Sequence, residues 1–167
     1  MTTEGNVRHR FDRSVDELFA LVTSPDFLKR RAEAAGETNV VVTVDRDGGR
    51  MRIRIERDLA RNLPAFMKKI FNPTSHLVDV QSWDTSGEVK FSDWTVEVKG
   101  QKRFDIRGRM SLAPAAGGGC DYSESFRVTV GIPLVGGKVE KYVVGETESS
   151  IRDQLLFTGK ELGAARG

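Results

Sequence analysis

The chain ends in a long segment whose apolar residues recur at helical spacing, and this segment limits the folds open to the rest. It reads PLVGGKVEKYVVGETESSIRDQLLFTGKEL, residues 133–162. We predict one helix that starts at Pro133. At about 100° per residue, one side carries Val139, Val143, Thr147, Ser150, Ile151, Gln154 and Thr158. The polar middle of that side is expected to meet water, a ligand or other polar groups, unless the helix is rotated slightly towards solvent.

Alternating polar and apolar residues predict seven strands ahead of this helix. The segments are residues 7–11, 39–44, 50–57, 76–83, 88–98, 102–113 and 120–130. Asp47-Gly48-Gly49 is typical of a tight hairpin turn, and the run of glycines at 117–119 is expected at a second hairpin tip. Since a curved antiparallel sheet has a concave face that a long helix can cover, we predict an α+β fold with the C-terminal helix across a seven-stranded sheet.

Three shorter helices are predicted between the strands. Ser14 with Glu17 three residues later forms a capping box, and Ser24-Pro25 starts a second helix that ends at Gly36. The segment 63–71 carries an apolar stripe, which predicts a short inserted helix. We expect this inserted helix to cover one edge of the sheet, with a mobile lid or a membrane-touching gate as the alternative.

Length and charge exclude several classes of protein. A chain of 167 residues suits a single domain, here 1–167. The 26 basic and 24 acidic residues leave a net charge of +2, so no nucleic-acid partner is expected. One cysteine and two histidines predict neither a disulfide nor a metal site, and no cofactor is expected. No stretch suits a membrane span or an export signal, so we expect a cytoplasmic protein without integral membrane association.

The stretch GIPLVGGK, residues 131–138, contains glycines and a lysine but does not fit a phosphate-binding loop. That loop requires G-x-x-x-x-G-K-[ST], whereas here Gly137 occupies the lysine position and Val139 follows Lys138. Proline fixes one backbone angle for a first helical turn, and glycine lacks a side chain. The glycines therefore indicate close packing of the helix start against the sheet.

The order of elements, with IPLVGGKVE leading into the last helix, resembles the START and polyketide-cyclase-like superfamily (SRPBCC), whose fold is the helix-grip fold. LPAFMKKIF and VQSW resemble one uncharacterised, mainly actinobacterial branch of unknown function. The resemblance implies a cavity under the long helix, in which members bind lipids, sterols, polyketides or hormones. Some members catalyse cyclisation or hydrolysis there, and others bind proteins. Because one fold hosts all these functions, the site residues must decide among them.

Strand parity predicts which side chains face such a cavity. The predicted ligand-binding residues are Met51, Ile53, Trp94, Phe104, Met110, Tyr122, Glu124, Phe126, Val143, Thr147, Ser150 and Gln154. To bring Phe91 and Trp94 to one face, we predict a β-bulge near Ser92-Asp93. Rows of arginine in residues 50–54 and 103–109 are expected on the outer, solvated face.

Three functions remain open from the sequence. The first is binding of a hydrophobic small molecule, such as a lipid or polyketide, in the cavity. The second is a cyclase-type or hydrolase-type enzyme that uses Glu124 and His9 as acid and base, because parity places both on an inward face. The third is a protein-interaction or regulatory domain with a filled core and a basic outer face. The sequence indicates neither the ligand nor the oligomeric state.

Overall fold

Seven antiparallel strands form one curved sheet, as the sequence predicts. The computed structural model describes residues 1–166, with side chains through Ala164. The strands are β1 (Thr2–Phe11), β2 (Thr38–Asp47), β3 (Arg50–Ala60), β4 (Thr74–Asp84), β5 (Lys90–Val98), β6 (Phe104–Pro114) and β7 (Cys120–Val130). Strands β2 to β7 pair in chain order, and β1 pairs with β7 at one edge. The helices are α1 (Val15–Val22), α2 (Pro25–Ala34), α3 (Ala65–Lys68) and α4 (Gly136–Arg166).

The two helices after β1 begin where their capping residues predict. The Ser14 hydroxyl accepts a hydrogen bond from the Glu17 N–H at 3.1 Å, and the Ser24 hydroxyl accepts one from the Phe27 N–H at 3.3 Å. Each bond satisfies a backbone donor that the first helical turn leaves free. Gly36 follows α2 with φ +85°, the left-handed conformation that ends many helices.

The long helix begins three residues later than predicted, at Gly136 instead of Pro133. Leu134 adopts φ +69°, which is incompatible with a right-handed helix, so Pro133 lies in the turn before α4. The predicted packing role of Gly136 is confirmed, because a Cβ there would lie 2.6 Å from the carbonyl oxygen of Val130. Absence of a side chain therefore lets the helix start directly against the end of β7.

Side chains fix α4 near both of its ends. Close to its start, the buried carboxylate of Glu140 accepts hydrogen bonds from the Val130 N–H at 2.8 Å and the Thr3 hydroxyl at 3.0 Å. Near its end, Arg13 donates to the Leu162 carbonyl at 2.5 Å, and Arg30 pairs with Glu161 at 2.8 Å. These contacts connect α4 to β1 and β7 at one end and to the α1–α2 region at the other.

The predicted bulge in β5 is wrong. Pairing of β5 with β4 and with β6 is continuous through Ser92 and Asp93. Ser92 and Trp94 are buried on the inner face, whereas Phe91 faces outward beneath the guanidinium of Arg109, whose Cζ lies 4.5 Å from the ring centroid. The cation covers the aromatic ring on the outer face, so no change of register is needed to shelter it.

The inserted helix is short, and one further turn carries the chain to Phe71, whose N–H donates to the Met67 carbonyl at 2.9 Å. Phe66 packs edge-on against Tyr142 of α4, with ring centroids 5.9 Å apart, and Phe71 packs against Phe104. The segment 61–73, which connects β3 to β4 along the chain, therefore packs against α4. Within residues 1–166, no helix combines the length and the apolar character that crossing a membrane requires.

Candidate functional site

A pocket of about 170 Å³ lies between the middle of α4 and the inner face of the sheet. Its walls come from α2, from strands β3 to β7, from the segment 61–73 and from α4. Asn72, Glu146 and Ser150 are exposed and line one side, so the pocket opens to solvent between the segment 61–73 and α4. Its volume is below the roughly 300–1,000 Å³ typical of pockets for drug-sized ligands. A compound of about one or two rings is therefore the appropriate size.

A buried hydrogen-bonded pair from β7 contributes to the pocket wall. Tyr122 and Glu124 lie two residues apart on the inner face, and the Tyr122 hydroxyl donates to a carboxylate oxygen of Glu124. Trp94 of β5 lies in the same wall. Its buried indole N–H is close enough to Glu124 to lower the pKa of that carboxyl group, but it makes no aligned hydrogen bond with any of the described residues. An unpaired buried donor costs about 1–3 kcal/mol, so a ligand acceptor at this position would be stabilising.

The pKa of Glu124 is raised to about 7. Burial, which disfavours the charged carboxylate, is the largest cause. The hydrogen bond from Tyr122, the positive charge of Arg31 and the Trp94 N–H all act in the opposite direction, and the charge of Asp79 adds to the increase. Near neutral pH this carboxyl group can therefore take up or release a proton, as a general acid or base must.

A half-buried ion cluster lies beside that pair. Arg57 of β3 lies with Nε 2.9 Å from Glu37 Oε1 and Nη1 2.7 Å from Asp79 Oδ1. These are ion pairs without aligned hydrogen bonds, because the N–H directions miss the carboxylate oxygens. Burial opposes the charged form of Arg57, but the two carboxylates outweigh it and raise its pKa. Burial raises the pKa of Glu37, although Arg57 opposes this increase.

Two further arginines line the pocket without a carboxylate within 4 Å among the described residues. Burial lowers the pKa of both Arg31 and Arg61. Glu146 is the acidic group with the largest effect on Arg61. The pocket is consequently richer in charge than the sequence analysis predicts, since three guanidinium groups contribute to its walls.

Eight of the twelve predicted ligand-binding residues line this pocket. They are Trp94, Met110, Tyr122, Glu124, Val143, Thr147, Ser150 and Gln154. The four from α4 come from the stripe whose middle is polar, and Ser150 is exposed at the opening. Their role in binding stays a prediction.

The other four predicted residues lie outside the pocket. Met51 and Ile53 are buried in the hydrophobic core, where Trp83, the partner of Met51 across the sheet, packs edge-on against Phe19 of α1. Side chains of α1 therefore fill that part of the concave face. Phe126 packs beside Trp94 with centroids 6.0 Å apart, and Phe104 packs against Phe71 beneath the inserted segment.

The structure does not bring His9 to the pocket. Its side chain is exposed, although Val7 and Phe11 on either side of it are buried. His9 lies in edge strand β1 and contacts the ring of Phe11, with centroids 4.6 Å apart. Val7 is the β1 residue paired with Glu124 in the sheet, and Tyr122 is the hydrogen-bond partner that the structure gives to this carboxyl group.

Several pocket residues are absent from the set predicted above, although strand parity contains a signal for some of them. Arg57 continues the inward series of Ile53 and Ile55, and Asp79 and Gln81 lie in register between two inward residues, Leu77 and Trp83. Arg31 follows Phe27 by four residues and Leu28 by three, so it shares the buried side of α2. Their charge makes an outward orientation the ordinary expectation.

The described residues contain no cluster of three or more histidine, cysteine, aspartate or glutamate side chains placed to hold a metal ion.

Solved structures similar to this chain share its fold over nearly its full length. The protein TTHA0849 from Thermus thermophilus is 17% identical with a TM-score of 0.67, and the match covers 99% of this chain and 100% of that one. The Zhui aromatase/cyclase of Streptomyces sp. R1128 is 8% identical with a TM-score of 0.65, covering 96% and 93%. A point mutant of norcoclaurine synthase from Thalictrum flavum, in complex with a transition-state analogue, is 12% identical with a TM-score of 0.63, covering 100% and 98%.

These likenesses confirm the predicted START-like, polyketide-cyclase-like fold. That the branch is mainly actinobacterial stays a prediction. No curated protein matches the chain. The family model described as a protein of unknown function, DUF2505, matches residues 6–160, and the chain therefore belongs to this family.

Proposed function

We propose that this protein binds a small organic molecule in the pocket under α4, with an apolar ring system between the sheet and the helix and a polar group near Tyr122 and Glu124. The observation that carries the proposal is a pocket in which apolar side chains surround a buried polar pair, Tyr122 and Glu124, with charged groups on the remaining wall. The apolar contacts come from residues such as Leu77, Met110 and Ile151. A few oriented polar groups in a mostly apolar pocket are typical of small-molecule sites.

The size and charge of the pocket make this proposal narrower than the sequence prediction. A volume of about 170 Å³ suits a compact molecule better than a long-chain lipid. The indole N–H of Trp94, which makes no aligned hydrogen bond within the described part of the chain, favours a ligand with an acceptor group. An aromatase/cyclase and a norcoclaurine synthase share the fold, which supports a role in small-molecule chemistry. A cytoplasmic location and the absence of a nucleic-acid partner stay predictions.

A titration with 2-naphthol, measured by isothermal titration calorimetry, tests the proposal. We expect one saturable site, and we expect Tyr122→Phe to weaken binding roughly three- to tenfold, because a hydrogen bond at the polar end is lost. Tyr142→Phe is the matched control, since Tyr142 lies on α4 against Phe66 and does not line the pocket. Absence of binding to 2-naphthol and to related one-ring and two-ring compounds would contradict the proposal.

Acid–base catalysis by Glu124 is a second candidate function, favoured by a carboxyl group of pKa about 7 that faces the pocket. Such a group can remove a proton from carbon beside a carbonyl and return it. Deuterium uptake by 2-tetralone in D₂O, measured by NMR, should be faster with the native protein than with Glu124→Gln. Equal rates would exclude this role for Glu124.

A further inference from the structure

Arg31 is held in a defined position on the pocket wall. Its Cζ lies 5.6 Å from the centroid of the Phe27 ring, and its Nη1 is 3.4 Å from the Thr158 hydroxyl of α4. That hydroxyl donates in turn to the Gln154 carbonyl at 2.7 Å. An aromatic ring and a helix side chain thus fix the guanidinium between α2 and α4, which reduces the conformational entropy it loses when it binds a ligand.

Among the described residues, no carboxylate lies in contact with this guanidinium. The carboxylates that act on its charge belong to Glu124, Glu37 and Asp79, and within the described part of the chain none of them lies within 4 Å. Glu37 and Asp79 are instead the two partners of Arg57. Glu124 accepts the hydrogen bond of Tyr122. The bond to Thr158 is the side-chain hydrogen bond that the described residues give to Arg31, so its other N–H donors can bind a ligand in the pocket in place of water.

Arg31 is half-buried, and this burial lowers its pKa, which means that its charge is partly desolvated. An anion that pairs with such a cation offsets the cost of the desolvation. Guanidinium groups match the planar geometry of a carboxylate and can bind it through two parallel hydrogen bonds. We propose that the ligand of this pocket is a small carboxylic acid whose carboxylate binds Arg31 while its ring system lies between the sheet and α4. This inference rests on the proposed function, since it assigns a chemical class to the ligand of the same pocket.

Two matched probes separate the carboxylate from the ring system. 2-Naphthoate and 2-naphthamide have the same rings and nearly the same shape, but only naphthoate is charged. The measurement is made at pH 6, which is below the pKa of about 7 of Glu124. At this pH Glu124 is largely neutral, whereas Arg31 and naphthoate are both charged. By calorimetry we expect naphthoate to bind at least tenfold more tightly than naphthamide, as a charge-assisted pair in a buried site should.

Arg31→Met should abolish this preference by weakening naphthoate binding at least tenfold, with naphthamide binding little changed. Arg31→Lys should retain part of the preference, because it keeps the charge and loses the planar donor geometry. Arg30→Met is the matched control. Arg30 precedes Arg31 on α2 and lies at the same 5.6 Å from the Phe27 ring, but it points outward to Asp26 and Glu161.

The outcomes distinguish the two proposals. If both probes bind the native protein with equal affinity, the carboxylate inference is wrong and small-molecule binding stands. If neither binds, both proposals fail. If naphthoate is preferred but Arg31→Met and Arg30→Met weaken it equally, the preference arises from general charge and Arg31 is not the binding group. Should Arg31→Met fail to fold, the probe pair on the native protein and on Arg31→Lys decides the question.

Discussion

Glu124 is a buried carboxyl group whose charged form is unfavourable in the folded protein and which can exchange a proton near neutral pH. Only 6% of the residue is exposed, and its carboxyl group lies within an aromatic wall. The Tyr122 hydroxyl satisfies one oxygen, which makes burial tolerable without fully stabilising the charge. The protein therefore holds a proton on this carboxyl group at a pH at which an exposed glutamate is ionised.

This proton makes the free energy of unfolding depend on pH in a direction that can be worked out. The folded pKa of about 7 lies above the reference value of 4.5, so between these values the folded state holds a proton that the unfolded state has released. The stabilisation is complete below pH 4.5 and is lost as the pH rises through 7. From pH 5 to pH 8, the free energy of unfolding of the native protein should fall by about 2.5 kcal/mol relative to that of Glu124→Gln.

Urea unfolding of both proteins at pH 5, 6, 7 and 8 measures this difference. Glu37, whose pKa burial also raises, is present in both proteins, so the comparison isolates Glu124. Parallel stability curves would mean that Glu124 is ionised in the folded protein across the whole range.

Sequence parity could identify the inward faces of single strands but not the pairing of charges between elements. Tyr122 and Glu124 follow from the alternation in β7 alone, and the structure places both in the pocket. Arg57 is stabilised by Glu37, which follows α2, and by Asp79 of β4. Only the assembled fold brings these three together, and local pattern favours solvent for each.

At the scale of elements, the start of α4 depends on the contact between Gly136 and β7. A Cβ on Gly136 would lie 2.6 Å from the Val130 carbonyl oxygen, a backbone atom that cannot move aside cheaply. We expect Gly136→Ala to lower the free energy of unfolding by about 1–3 kcal/mol. Gly145 provides the control, because a Cβ there meets nothing within 4 Å and the residue lies inside the helix.

Gly145→Ala should stabilise the protein by about 0.5–1 kcal/mol through helix propensity. Urea unfolding measures both changes under one set of conditions. Equal effects of the two substitutions would contradict the close approach at Gly136.

Elements with local signals could be predicted well, and those set by contacts between elements could not. Caps at Ser14 and Ser24 depend on atoms within three residues, and both helices begin where the sequence predicts. The start of α4 depends on the turn at Leu134, which has φ +69°. Because this position is a leucine and not a glycine, the sequence does not indicate a left-handed backbone there. Phe91 of β5 faces outward, where Arg109 of the neighbouring strand β6 covers its ring, and this contact between strands is not visible in the local pattern of β5.

At the scale of the whole molecule, the decisive property is the space between α4 and the sheet, and two adjacent valines can probe it. Val143 and Val144 are both buried to 7% exposure, but Val143 lines the pocket whereas Val144 packs in the core away from it. Enlarging each to phenylalanine adds the same volume in two different directions. In a well-packed core, such an addition lowers the free energy of unfolding by about 1–3 kcal/mol, because neighbouring side chains must leave their preferred rotamers.

Val143→Phe should therefore change the free energy of unfolding by less than about 1 kcal/mol, since the new ring occupies the pocket. It should also weaken 2-naphthol binding at least tenfold, because the ring and the ligand compete for the same volume. The Val144→Phe substitution should lower the free energy of unfolding by about 1–3 kcal/mol. Under conditions in which this variant is folded, it should bind 2-naphthol with unchanged affinity. Urea unfolding measures both changes, and equal destabilisation by the two substitutions would mean that α4 packs on the sheet without space for a ligand. In that case the basic outer face would be the surface to test for function.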